Sequence, residues 1–178
     1  MSTVQRVNFE LKTSTLHMLV KDYPLADPTL INPLNSVALV DGEWLVVVDK
    51  KAQRAADIAT LGTAGAGGRA TLPSFPLWAE RGRTDIQAMS GRKIPLIRGK
   101  DWEADTRIFD ASAVVGSGAA ITFAGQPLKV ATILIGTRNY CGLVGHGGSS
   151  DTAPVEAYVA VLPSQNGGKL KIYSGSRK

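Results

Sequence analysis

Turn-forming residues cut this chain into short apolar segments, and that punctuation restricts its fold more than any other feature. In the second half the segments run Asp85 to Ala88, Ile94 to Ile97, Thr106 to Phe109, Ala120 to Phe123, Leu128 to Ile135, Val155 to Leu162 and Leu170 to Tyr173. Short strands separated in this way belong to barrels and sandwiches. The 19 Gly and 9 Pro among 178 residues supply the turns and disfavour long helices. A chain of this length buries one main core. The expected fold class is therefore mainly β, with few short helices.

The first half fits the same reading. Val7-Asn8-Phe9-Glu10-Leu11-Lys12 alternates apolar and polar residues, the pattern of a strand with one dry face. Pro24, Pro28 and Pro33 then favour extended backbone, so residues 1–35 read as a strand and an extended arm ahead of a single β-rich body at 36–178. Asp41-Gly42 separates Val37-Ala38-Leu39-Val40 from Glu43-Trp44-Leu45-Val46-Val47-Val48, which predicts a hairpin. Lys50 to Leu61 permits one short helix, and Gly62 to Gly68 reads as a glycine-rich loop. Lys169-Leu170-Lys171-Ile172 alternates again and is expected to form a half-buried closing or edge strand guarded by its lysines.

Several classes are disfavoured by composition. Cys141 is the one cysteine, so no internal disulfide can form. Arg6 and Glu10 interrupt the N-terminal apolar residues, so no signal peptide is expected. The uncharged stretch Ala111 to Leu128 is broken by Gly116, Gly118, Gly125 and Pro127, and does not read as a membrane span. The net charge of +5 is uneven: residues 1–89 hold nine Lys/Arg against nine Asp/Glu, and residues 90–178 hold eleven against six. A basic half suits an acidic partner. Its charges are scattered without repeated aromatics, so nucleic acid is disfavoured as that partner.

No segment carries a convincing catalytic or cofactor pattern. Gly65-Ala66-Gly67-Gly68-Arg69-Ala70 matches a dinucleotide-binding spacing, but Thr71-Leu72-Pro73 follows where a helix must begin. Cys141 and His146 could pair as thiolate and base, but a buried inert cysteine beside a glycine-rich turn is the favoured reading. His17 and His146 lie far apart without companion ligands, so no metal is expected. Asp101, Glu103 and Asp105 alternate and could line one strand face, as a loose cation site or as a solvated surface. The expectation is a protein without cofactors that is not an enzyme.

The order of these features resembles that of the capsid cement, or decoration, proteins of tailed phages. The residues that carry the resemblance are Arg6-Val7-Asn8-Phe9-Glu10, Asp41-Gly42-Glu43-Trp44-Leu45, Phe75-Pro76-Leu77-Trp78-Ala79-Glu80-Arg81-Gly82-Arg83-Thr84-Asp85, Glu103 to Asp110, Val155 to Pro163 and Asn166 to Ile172. It implies a small β-barrel or β-tulip-like body with an extended N-terminal arm. Such a protein binds the major capsid protein on the exterior of an expanded shell, self-associates as a dimer or trimer, and is made in the bacterial host cytoplasm. Asp57 to Ala70 and Thr137 to Pro154 depart from the pattern and read as inserted loops. The partner-binding candidates are Arg6, Phe9 and Lys12 on the arm, with Trp78, Glu80, Arg81 and Arg83 as an aromatic anchor among charges. A single-stranded nucleic-acid-binding barrel and a tail or baseplate component are the alternatives.

Overall fold

The computed structural model describes residues 9–12, 20–31, 38–54, 74–78, 93–112, 118–151 and 153–175. Among them are eleven strands and three single-turn 3-10 segments, with no α-helix. The molecule is mainly β and barrel-like, as its turn-rich sequence requires.

Six strands form the larger sheet. They are β1 (Phe9–Leu11), β7 (Glu103–Thr106), β8 (Pro127–Ile135), β9 (Arg138–Gly145), β10 (Ala157–Val161) and β11 (Leu170–Tyr173), arranged β1-β7-β11-β10-β8-β9. All its pairs are antiparallel, and β10 carries an irregularity between Val159 and Val161 that shifts its register against β11. Such a bulge bends a strand and increases its twist, which helps a sheet to curl.

The other five strands form a smaller ring. β2 (Val20–Pro24) pairs with β6 (Lys93–Ile97), while β3 (Trp44–Val48) lies between β4 (Lys51–Arg54) and β5 (Ser74–Pro76). Two isolated bridges, Leu25 to Ala52 and Leu77 to Leu96, join the edges of these two sheets. The strands thus follow one another as β2-β6-β5-β3-β4 and back to β2. Alternation sends one face of each into the ring: Tyr23 and Leu25, Ile94 and Leu96, Phe75 and Leu77, Leu45 and Val47, and Ala52 share one cluster. The opposite faces point outward, and Trp44 and Ile97 pack there against Trp102, Leu128, Leu170 and Ile172 of the larger sheet's core. Trp102 takes Phe9 edge-on at 6.0 Å and Trp44 at 6.2 Å, so the aromatic centre lies where ring and sheet meet.

Several expectations are corrected. The hairpin turn of β3 is Asp49-Lys50, both at positive φ (48° and 63°), joining β3 to β4; this handedness suits strand twist. Asp41-Gly42 instead turns the chain into β3 from an unpaired segment, with Glu43 N donating to Val40 O at 3.2 Å. Lys51 to Arg54 is strand rather than helix. Ala120 to Phe123 is not a strand, because Gln126 takes over its backbone: Thr122 N donates to Gln126 Oε1, and Gln126 Nε2 donates to Ala120 O. Residues 138–145 of the expected inserted loop are β9, half of the longest hairpin among the described residues. Finally, β11 lies between β7 and β10, so the edges of the larger sheet are β1 and β9. Of the expected arm, β1 pairs with β7 and β2 with β6, both within this chain. Asp57 to Ala70, which includes the glycine-rich Gly62 to Gly68, and Asp85 to Ala88 lie outside the described residues.

Candidate functional site

Three of the seven partner-binding candidates, Phe9, Lys12 and Trp78, are among the described residues. Arg6, Glu80, Arg81 and Arg83 lie outside the described residues. Phe9 is 2% exposed and belongs to the core beside Trp102, so its ring is a structural anchor and not a surface contact. Lys12 is on the surface, where it bridges Glu10 at 3.0 Å and Asp105 at 3.2 Å. Trp78 is half-buried against the larger core, and its backbone N donates to Pro95 O. The apolar face of β1 thus holds the arm to this chain's own body.

Cys141 and His146 do not form a nucleophile and base. Cys141 is buried within β9, opposite Thr132. His146 is committed at both ring nitrogens: Nε2 lies 2.9 Å from Ala153 O, and Nδ1 accepts from Gly148 N at 3.2 Å. That arrangement is the neutral ring with its proton on Nε2. The same loop is tied by Asp151, which accepts from Gly147 N and Ala153 N and pairs with Lys129 at 2.7 Å. Burial alone would raise the Asp151 carboxyl, but Lys129 and the two backbone donors hold it down at about 2. His146 therefore clamps a loop.

The alternating acids Asp101, Glu103 and Asp105 do not gather into a cation site. Asp101 adopts positive φ (64°) ahead of β7. Asp105 is buried, where it accepts from Asn166 Nδ2 at 2.9 Å and pairs with Lys12. No group of His, Cys, Asp and Glu suited to a metal occurs among the described residues, and no described helix is long and apolar enough to cross a membrane.

What sequence reasoning missed is the end of the β8-β9 hairpin. Ile133 is fully buried, yet the next two residues, Leu134 and Ile135, are 50% and 37% exposed. Residue alternation places them on opposite faces, Leu134 opposite Asn139 and Ile135 opposite Arg138. Gly136, with φ 66°, turns the chain at the tip. Arg138 lays its guanidinium over the Tyr140 ring at 4.8 Å, so the stem is stiffened one step below the tip. The apolar run Ile133-Leu134-Ile135 was legible as strand, but its exposure was not, because β9 was read as loop. Comparison with family models, with curated proteins and with solved structures finds no match for this chain.

Proposed function

We propose that this chain is a structural virion protein of the capsid cement class, which binds the outer surface of an expanded icosahedral phage shell and bridges neighbouring capsomers. The observation that carries the reading is the hairpin tip: two large aliphatic side chains, Leu134 and Ile135, are exposed at the end of a paired stem. Leu134 and Ile135 offer apolar area to a partner from the two faces of the hairpin, and each Å² removed from water contributes about 25 cal/mol. One such finger binds weakly. Many copies on one shell act together, and contacts available only after expansion shift the balance toward the mature state.

The test begins with gene neighbourhood, where a reading frame for a major capsid protein is expected beside this one. Shells assembled from that protein, before and after expansion, are then mixed with this chain and sedimented. Retention on expanded shells, insensitive to salt and lost in Leu134→Asn/Ile135→Asn, supports the reading. Equal retention on immature shells overturns the maturation-coupled mechanism. Oligonucleotide binding that collapses with salt, without shell retention, points instead to a nucleic-acid-binding barrel, and binding to tails but not heads to a tail component.

A further inference from the structure

Between the small ring and the larger sheet lies an open cleft of about 270 Å³. Trp44 and Phe75 come to it from the ring, Arg98 and Lys100 from the segment after β6, and Glu156 and Tyr158 from the sheet side. The volume is below that of sites for drug-sized ligands and matches one or two side chains. We propose that this cleft is a docking pocket for an acidic peptide segment of a partner protein, which places a carboxylate between Arg98 and Lys100 and an apolar side chain against Val155.

Three observations bear on the occupant. Arg98 is exposed yet held: its guanidinium lies 4.6 Å over the Phe75 ring, and Nη1 donates to the Tyr23 hydroxyl. A guanidinium fixed in this way binds a carboxylate with less ordering cost than a free one. The Trp44 indole N–H is buried without a partner among the described residues, although buried donors are nearly always satisfied. Arg98 and Lys100 give the lining two cationic donor groups against a single acid, which suits an acceptor-bearing group. Among the described residues that line the cleft, Glu156 is the one acid, and it is already occupied by the Ser74 backbone N–H at 2.7 Å. At the rim Val155 is exposed, which suits an aliphatic neighbour of the bound carboxylate. A basic peptide would meet two cations at the mouth. The proposal holds whether or not the partner is a phage shell.

The probe is a capped, fluorescein-labelled hexapeptide with two glutamates between leucines, and its control carries lysines in place of the glutamates. Fluorescence anisotropy is expected to show saturable binding of the acidic peptide and none of the basic one. Lys100→Glu, an exposed position whose change leaves the fold intact, is expected to weaken binding by about tenfold or more, and Arg98→Ala likewise. Glu156→Gln, which removes the lining's acid, is expected to tighten it. In ¹⁵N spectra the indole N–H resonance of Trp44 should move on saturation. Absence of saturable binding at millimolar peptide, equal affinity in Lys100→Glu, preference for the basic peptide, or an unmoved Trp44 resonance would each overturn the proposal. None of these outcomes depends on shell binding, so the two readings fail separately.

Discussion

Arg54 grips Glu43 through a single nitrogen: Nη2 lies 3.1 Å from one carboxylate oxygen and 3.0 Å from the other, and Glu43 has no solvent exposure. Both residues face into the small ring, since Leu45 pairs with Arg54 and lies two residues beyond Glu43 on the same face of the strand. Burial, opposed by the charge and hydrogen bonds of Arg54, pushes the Glu43 carboxyl up to about 7. Glu156, in the cleft, is also pushed up to about 7 by burial, against the hydrogen bonds from Ser74.

Both carboxyls predict a protein that is more stable in mild acid than at neutral pH. Each takes up a proton more readily in the folded chain than in the unfolded one, where its ordinary value is 4.5. Between 4.5 and about 7 the folded state therefore holds protons that the unfolded state has released. Stability falls as pH rises through that window, by up to about 1.4 kcal/mol per pH unit for each group. Urea midpoints are expected to be higher near pH 5 than near pH 8, and Glu156→Gln should flatten the slope. A midpoint that is level or rises across that range would contradict the assignment.

The pair between Lys129 and Asp151 has the opposite signature. Asp151 is held at about 2, below its ordinary 3.8, so its contribution is full above 3.8 and is lost as pH falls through the folded value. Lys129 is nearly buried, and removing Asp151 leaves an ammonium there without this countercharge. Asp151→Ala is expected to cost about 3–5 kcal/mol, measured by urea unfolding at neutral pH. Lys129→Met/Asp151→Leu, which removes both charges, should recover much of that loss.

Period-two alternation placed β1 and β11, and turn punctuation on either side of short apolar runs placed β6, β8 and β10. Both missed β9, which lies inside the expected inserted loop Thr137 to Pro154 and carries Gly142 and Gly145. Their backbones are extended strand, and the reason for glycine is close approach: a Cβ on Gly142 would meet Ile133 Cδ1 at 2.4 Å and Ile108 O at 2.7 Å, and one on Gly145 would meet Ala119 O at 2.5 Å. Nothing local distinguishes a glycine that turns from one that admits a neighbour. Phe9 failed for a related reason. Alternation identifies a dry face but not what dries it, and the partner strand of β1 lies far along the chain at Glu103–Thr106. The cleft was illegible for the same cause, since Trp44, Arg98 and Glu156 come from segments that only the tertiary fold brings together.

The two turns around β3 predict contrasting responses. Gly42 has φ 87°, and a Cβ there would lie 2.8 Å from Phe9 Cβ. Gly42→Ala therefore combines left-handed strain with a clash against the core side of β1, and should cost about 2 kcal/mol or more. At Lys50, φ 63° is already carried by a side chain on an exposed turn. Lys50→Gly relieves that strain while adding freedom to the unfolded chain, and the two effects should cancel to within about 1 kcal/mol. Thermal unfolding of both variants tests the contrast, and a larger loss at Lys50 than at Gly42 would reverse it.

Cys141 provides the last prediction. Its side chain is 1% exposed on β9, and a thiol reacts through its thiolate only when reagent and solvent reach it. In the folded protein the rate of labelling by a disulfide reagent should follow the opening of the β8-β9 hairpin, not the intrinsic chemistry of the thiol. Labelling should therefore be slow in buffer and reach the rate of a free cysteine in denaturant. Leu134→Asn/Ile135→Asn should leave the slow rate unchanged, because surface substitutions at exposed positions alter stability by no more than about 0.5 kcal/mol. If that variant labelled rapidly, the apolar tip would be holding the hairpin closed, and its exposure could no longer be explained by a partner.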